Sequence, residues 1–241
     1  MYPLKDKLLD RLKAENFLFP TSYVVLDAET TAKGALGRLP LQLALIKVTD
    51  GEVEDVAEWF LDWRRGFNMP ADVLADEINK IGYIFAAKGE RFPITYEMIC
   101  EQGAPALPAV TAFLQKLTDC ITAGTPIVGH NIRGFDIEML NDVVARYFPE
   151  LPIPWEKAAV YDTGLFEKAL NLDLIFYSGE SFNGWQNRVA KVASTVKWNL
   201  AGCITKYGLH EKLASGASHN AVYDCMAVVQ LVNAFNAMLK G

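Results

Sequence analysis

The sequence is poor in cysteine and in unbroken apolar runs, and each shortage excludes a class of protein. Its four cysteines are scattered and form no Cys-x-x-Cys pair, which argues against a disulfide framework and against a thiolate zinc site. No uninterrupted apolar run approaches the ~18 residues of a membrane helix, and charged residues interrupt the N-terminus. We therefore expect a cytoplasmic protein that does not insert into a membrane.

Positive charge is also scarce, because 23 Lys and Arg residues stand against 29 Asp and Glu residues, for a net charge of −6. This balance argues against a large basic face for nucleic acid, since neutralising phosphates needs many cations on one side. It is compatible with an enzyme whose acidic residues share a pocket, because divalent cations could then meet a phosphate. The Gly-x-Ser-x-Gly, Gly-x-x-x-x-Gly-Lys and Gly-x-Gly-x-x-Gly patterns are absent, so nothing supports a serine hydrolase or a nucleotide phosphate loop.

The chain is long enough for one well-packed domain, with 241 residues of which 51% are hydrophobic. Short apolar runs predict five strands, at 23–26, 39–48, 53–63, 126–129 and 158–161. Helical spacing predicts helices further along, at 106–121, 135–148, 163–170, 187–193, 199–207 and 220–239. Three strands joined by short turns, then strands alternating with helices, predict an α/β fold. Its mixed five-stranded sheet would have three antiparallel strands first, then two parallel ones, covered by helices.

Two segments lie outside this pattern. Residues 3–17 have helical spacing with one apolar stripe, and we assign residues 1–20 to an N-terminal helix packed on a domain of residues 21–241. A partner-binding helix is the alternative. Residues 63–93 form an extended segment with no clear period, in which basic and aromatic residues alternate. That mixture suits a channel for a single strand, and equally an ordinary solvated surface over core aromatic residues.

Acidic residues follow the ends of several predicted strands. Asp27 and Glu29 come directly after the first strand, and residues i and i+2 of an extended chain project from the same face. The two carboxylates can therefore point into one site as metal ligands. A simple turn is the competing interpretation, because Asp and Thr are common after strands.

Two further acidic residues stand at predicted helix starts. Asp136 opens a helix after the strand at 126–129, where an acid can also serve only to stabilise the helix dipole, typically by ~0.3–1 kcal/mol. Asp224 lies in the first turn of the last helix, five residues after His219. Five helical steps leave two side chains roughly 140° apart, so this pair converges only if His219 still belongs to the preceding loop.

Taken together, these residues predict a metal-dependent hydrolase. Four carboxylates in one place would repel one another, and two bound divalent cations would offset that repulsion. Hard oxygen ligands favour Mg²⁺ or Mn²⁺, and a neighbouring histidine suits a general base. One more acidic residue at a strand end, Asp162, is predicted to cap the following helix with Thr163 rather than to bind metal.

Three motifs resemble those of the DnaQ-like DEDDh 3′→5′ exonucleases, in the order of that family. They stand here as DAETT at residues 27–31, GHNIRGFD at 129–136 and HNAVYD at 219–224. The resemblance spans nearly the whole chain, from about residue 23 to 239, and the histidine spacing of the third motif points to the histidine branch of the family.

The resemblance implies a ribonuclease H-like fold and a 3′→5′ exonuclease of DNA or RNA that releases nucleoside 5′-monophosphates. It implies His219 as the general base and four ligands for two Mg²⁺ or Mn²⁺ ions: Asp27, Glu29, Asp136 and Asp224. The substrate would be a nucleic acid with a 3′ end, preferably single-stranded. A homodimer or an association with replication or repair machinery is compatible with the resemblance.

The resemblance identifies the residues that contact the substrate less directly than it identifies the metal ligands. Thr30 and Thr31 match positions that contact the terminal nucleotide in the family, and Asn131 matches a position near the substrate strand. The family usually places glycine and a bulky apolar wedge after its first motif, whereas this chain continues differently, with Leu36 as the candidate wedge. The alternative function is a catalytically weak nucleic-acid-binding or scaffolding module of the same fold, and an endonuclease is disfavoured by the histidine of the third motif.

Overall fold

The computed structural model describes residues 7–34, 37–177, 179–194, 198–213 and 219–241. The candidate wedge Leu36 and the first four residues of the helix predicted at 3–17 lie outside the described residues. The strands are β1 (Tyr23–Thr30), β2 (Pro40–Thr49), β3 (Glu52–Asp62), β4 (Ala104–Pro105), β5 (Ile127–Gly129) and β6 (Val160–Asp162). The helices are α1 (Lys7–Ala14), α2 (Arg64–Phe67), α3 (Ala71–Ala86), α4 (Tyr96–Gln102), α5 (Ala106–Thr122), α6 (Asp136–Tyr147), α7 (Thr163–Leu172), α8 (Phe182–Lys191), α9 (Leu200–Lys206) and α10 (Ala221–Lys240).

The strands form one sheet in the order β4-β3-β2-β1-β5-β6. β1, β2 and β3 are antiparallel neighbours, and β5 and β6 extend the sheet in parallel with β1. The predicted α/β class and strand directions are confirmed, but the count of five strands is wrong. The strand that was not predicted is β4, which has two residues and pairs in parallel with the end of β3. So short a strand has no sequence period, and its Pro105 is tolerated because it lies at the edge of the sheet.

Helices cover both faces of the sheet, which explains why its central strands are almost continuously apolar. In β1, Val25 packs into a core with α1, α7 and α10, whereas Val24 and Leu26 pack into a second core with α5 and α6. β2 alternates in the same way, with Ile46 in the first core and Leu45 in the second. The centre of the sheet is thus fixed on both sides, and the ends of β1 and β5 meet at one edge of the protein.

The two terminal helices pack together in the first core. Leu8 and Leu12 of α1 are fully buried there, which favours packing on the domain over binding a partner. α1 ends at Ala14, earlier than predicted, and Asn16 has a positive φ of 51°. The division at residue 20 stays a prediction. α10 has 20 residues and is apolar enough to span a membrane, but half of the apolar stretch is buried inside the protein.

The segment at residues 63–93 contains a helix that the sequence did not clearly indicate. α3 buries Leu74 and Ile78 in a third core, together with Phe92 from the turn that follows it. The apolar residues of α3 have helical spacing, but Pro70 before it and Gly82 within it suggested a break. Gly82 lies inside the helix because tertiary packing outweighs its modest cost of about 1 kcal/mol.

Candidate active site

β1 presents two of the predicted carboxylates in its C-terminal half, near the centre of the sheet. Asp27 and Glu29 lie two residues apart on this strand, opposite Ala44 and Gln42 of β2. Gln42 is fully buried, and its Oε1 accepts a hydrogen bond from the N–H of Ala221 at 3.0 Å. This bond fixes the start of α10 beside the end of β1, so that the first and third motifs face each other.

Asp136 enters the same space from the start of α6. The chain leaves β5 at Gly129 and turns into α6, of which Asp136 is the first residue. Its side chain is only 2% exposed, and its Oδ1 has no hydrogen-bond partner among the described residues. A buried carboxylate oxygen without a donor is costly unless a cation is nearby.

His219 and Asp224 complete the cluster. α10 begins after Asn220, whose side chain caps the helix by accepting the N–H of Tyr223 at 3.1 Å. His219 precedes this cap, with a left-handed φ of 68°, and therefore lies in the loop, as its convergence with Asp224 requires. One potential ligand atom from each of Glu29, His219 and Asp224 lies within 4.8 Å of the other two.

Burial raises the pKa of every carboxyl group in this cluster, and repulsion by other members of the cluster raises the pKa of Asp27 and Glu29 further. Burial raises the pKa of Asp27 well above its usual value, and Asp136, Asp224 and Glu29 raise it further. Burial and then the two neighbouring aspartates raise the pKa of Glu29 to about 8, and burial raises the pKa of Asp224 to about 7. The pKa of Asp136 is also well above its usual value, mainly because of burial. Burial lowers the pKa of His219, which favours its neutral form.

These residues fit divalent cations. The cluster offers hard carboxylate oxygens, one of them on Asp136 without a donor, and no cationic side chain among the described residues forms an ion pair with its four carboxylates. Bound cations would remove the repulsion that raises the pKa of these groups. The donor set suits Mg²⁺ or Mn²⁺ better than a soft metal.

The cluster lies in a cleft of about 1110 Å³ that also contains three of the four predicted substrate-contact residues. Thr30 Oγ1 donates to the carbonyl of Thr31 at 3.1 Å, and Thr31 Oγ1 accepts the N–H of Leu39 at 3.0 Å. Both hydroxyls thus stabilise their own loop. Asn131 is exposed and also lines the cleft. Contact of these residues with substrate stays a prediction.

The cleft lining includes five basic residues, of which only Arg133 lies within one of the three sequence motifs. These residues are Lys33, Arg38, Lys88, Arg133 and Lys168. Only Lys88 belongs to the segment with interleaved basic and aromatic residues. Arg38 stacks over the ring of Phe135, 4.7 Å from its centroid. The signal available for Arg38 was its place shortly after the first motif, but a lone arginine there has many structural explanations.

Asp162 is a helix cap, which confirms the prediction for this residue. Its Oδ1 accepts the N–H groups of Gly164 and Leu165 at the start of α7, and that of Asn131 at 2.9 Å. Its Oδ2 accepts the N–H of Arg133 at 3.2 Å. Asp162 thus shapes the loop that leads to Asp136 without belonging to the carboxylate cluster.

The raised pKa values predict how the stability of the metal-free protein, measured in a chelator, depends on pH. A group that binds its proton more tightly in the folded state stabilises that state at low pH, and this contribution is lost as pH rises through the folded pKa. For Glu29 and Asp224, with pKa values of about 8 and about 7, the loss falls between about pH 4 and pH 8. We expect the free energy of unfolding to fall by a few kcal/mol across this range, or roughly 5–10 °C in melting temperature.

Thermal melting in a chelator at several pH values between 5 and 8 measures this effect. Asp224→Asn should flatten the profile, and Mn²⁺ added to the wild type at pH 8 should restore the melting temperature. A wild-type profile that is level or rises with pH would contradict the burial of a repelling carboxylate cluster.

The six-stranded mixed sheet thus carries a cleft in which four carboxylates and a histidine meet near the end of the central strand β1. Among solved structures, the chain is similar to E. coli exonuclease I in complex with a dT13 oligonucleotide, with a TM-score of 0.55 and 18% identity over 88% of this chain and 40% of that one. It is similar to the complex of the same enzyme with a dA16 oligonucleotide, with a TM-score of 0.56 and 17% identity over 91% and 42%. It is also similar to a zinc-bound complex of that enzyme with single-stranded DNA, with a TM-score of 0.58 and 17% identity over 92% and 42%.

The fold implied by the three motifs is therefore confirmed. The chain spans about two fifths of the length of the exonuclease I chains that it matches. No protein-family model matches the sequence, and no curated protein matches it.

Proposed function

We propose that this protein is a metal-dependent 3′→5′ exonuclease that releases nucleoside 5′-monophosphates from single-stranded nucleic acid. The observation that carries this proposal is the convergence of four buried or half-buried carboxylates and one imidazole from β1, α6 and the start of α10 in one cleft. Structural frameworks rarely gather so many repelling groups, whereas hydrolysis of a phosphodiester needs cations held at such a place.

Each side chain has a distinct task in the proposed reaction. Asp27, Glu29, Asp136 and Asp224 would hold two divalent cations, either Mg²⁺ or Mn²⁺. When bound, such ions stabilise the negative charge that develops on the phosphate and make water a better nucleophile. His219 accepts the proton of the attacking water, and its lowered pKa favours the neutral imidazole that this step requires. The water oxygen bonds to phosphorus while the bond from phosphorus to the 3′ oxygen of the preceding nucleotide breaks. That oxygen takes a proton from solvent, and the terminal nucleotide leaves with its 5′ phosphate.

The basic side chains of the cleft support a nucleic-acid substrate. Lys33, Arg38, Arg133 and Lys168 line the same cleft as the acidic cluster. Cations on the lining can bind the phosphates of a strand whose end reaches the carboxylates. Single-stranded oligonucleotides are bound in the similar structures of exonuclease I, which supports the same preference here. A homodimer, an association with replication or repair machinery and a cytoplasmic location stay predictions.

A timed digestion tests the proposal. DNA and RNA oligonucleotides labelled at the 5′ end, each single- and double-stranded, are incubated with Mg²⁺, with Mn²⁺ or with a chelator. We expect a ladder that shortens from the 3′ end, nucleoside 5′-monophosphates as products, fastest digestion of single strands and no digestion in the chelator.

Other outcomes would identify other functions. Internal cleavage of a circular single strand would favour an endonuclease. Binding of the oligonucleotides without cleavage under every metal condition would favour the catalytically weak binding or scaffolding module. Either result would overturn the proposed exonuclease.

A further inference from the structure

The imidazole of His219 contacts two side chains from the segment at residues 63–93. The ring of Phe85, near the end of α3, meets the His219 ring at right angles, with 4.5 Å between centroids and 77° between planes. Glu90, in the turn after α3, places its Oε2 3.8 Å from Nε2 of His219. The candidate general base thus lies between the carboxylates of the cluster and a helix that contributes none of them.

The backbone conformation of His219 is one that needs support from such contacts. Its φ of 68° lies in the left-handed region, which costs a residue with a side chain about 1 kcal/mol or more and persists where the surroundings stabilise it. An imidazole at such a loop position needs tertiary contacts to fix the direction of its ring nitrogens. Phe85 restricts the plane of the ring, and the Glu90 carboxylate lies at its Nε2 edge, where it attracts the imidazole once the ring has accepted a proton.

Phe85 and Glu90 are themselves held in place. The Phe85 ring packs on Phe92 at 5.2 Å, and Phe92 is only 6% exposed in the third core. The carbonyl of Phe85 accepts the N–H groups of Lys88 at 2.9 Å and Glu90 at 3.0 Å. These bonds fold the turn back onto the end of α3, so the two contacts on His219 come from one short segment, residues 85–90.

We propose that Phe85 and Glu90 are positioning residues that orient His219 for proton transfer. The proposal rests on the proposed exonuclease function and assigns a task to the end of α3 within it. Neither residue acts on the substrate: they fix the imidazole, and the imidazole accepts the proton. Their loss should therefore lower kcat and leave KM for the oligonucleotide nearly unchanged.

Single and double variants test this role with a 5′-labelled single-stranded oligonucleotide and Mg²⁺. We expect Glu90→Ala and Phe85→Leu each to lower kcat about 10-fold, the usual effect of removing a partner that orients a histidine. Phe85→Tyr keeps the ring and should retain near wild-type kcat, and Glu90→Gln should fall between the wild type and Glu90→Ala. Glu101→Ala, at an exposed position of α4, is the matched control and should leave kcat unchanged.

The decisive measurement is the effect of Glu90→Ala in a His219→Ala background. If Glu90 acts through His219, the second substitution should change kcat by less than 2-fold, because the two effects are then not independent. A further 10-fold loss in the double variant would overturn the proposal. So would a rise in KM with unchanged kcat in Phe85→Leu, which would show that this segment binds the substrate.

Failure of the proposed function is recognised separately. A wild type that cleaves no oligonucleotide overturns the exonuclease and, with it, the positioning role. A wild type that digests from the 3′ end, slows on His219→Ala and is unaffected by Glu90→Ala and Phe85→Leu overturns the positioning role alone. Melting temperatures of all variants identify any loss of folding, and Glu90, half exposed, should be replaceable without one.

Discussion

Asp136→Asn is expected to lower the rate of 3′-end hydrolysis by about 10³-fold or more at saturating Mg²⁺. The carboxylate at the start of α6 is 2% exposed, and one of its oxygens has no donor among the described residues. If a cation is bound there, the neutral amide weakens its hold and removes several kcal/mol of stabilisation of the developing charge, and about 1.4 kcal/mol corresponds to tenfold in rate. Initial rates on a 5′-labelled oligonucleotide measure the loss.

The same substitution should raise the stability of the metal-free protein in a chelator above that of the wild type. It removes one negative charge from a buried cluster in which the pKa of Asp27 is raised in part by Asp136. We therefore expect a higher melting temperature for Asp136→Asn than for the wild type at pH 8 in a chelator, and a smaller increase on addition of Mn²⁺. This opposite response of activity and stability distinguishes a lost ligand from a damaged fold.

Asp142→Asn is the matched control, because Asp142 is exposed on the same helix α6. It should change neither the rate nor the melting temperature in the chelator. Wild-type turnover of purified Asp136→Asn would contradict the assignment of Asp136 as a ligand, whatever its effect on stability.

The carboxylate cluster was predictable because each member stands at a boundary that the sequence marks. Asp27 and Glu29 follow the apolar run at residues 23–26 with which β1 begins, and they lie within that strand; Asp136 opens a helix after the short strand β5. Strand and helix boundaries of this kind depend on local patterns, and the central strands have a strong pattern since both faces are buried. The ordered motifs then indicated that the separate ends meet.

The parts that the sequence did not predict depend on packing between distant segments. α3 has a helical apolar stripe, but its partners in the third core lie at Leu41 and Ile99, far along the chain in both directions. The contact of Phe85 with His219 joins residues more than 130 positions apart and has no local signature. The two-residue strand β4 is defined only by the neighbour with which it pairs.

The chain has a net charge of −6, whereas the lining of its cleft contains several basic residues. Acidic residues predominate over the whole chain, yet Lys33, Arg38 and Lys88 lie beside the acidic centre in the same cleft. In the proposed function, affinity for a strand would depend on these few cations and on divalent ions in the site, rather than on a broad basic surface.

His219→Ala is expected to slow hydrolysis at neutral pH by roughly 10²–10⁴-fold, the usual contribution of a positioned general base. The imidazole lies beside the carboxylates of Glu29 and Asp224, and burial lowers its pKa, so that the neutral form is available to accept a proton. Because His219→Ala leaves all four carboxylates of the cluster in place, Mn²⁺ should still raise the melting temperature of the variant.

His210→Ala is the matched control for this substitution, because His210 is an exposed histidine that contacts the hydroxyl of Thr205 outside the cleft. We expect wild-type rates from it. A His219→Ala variant that matches the His210→Ala variant in kcat at pH 7 would exclude His219 as the base. A His219→Ala variant that loses both activity and the Mn²⁺-dependent stabilisation would instead make the imidazole a metal ligand, since a base that only moves a proton contributes nothing to cation affinity.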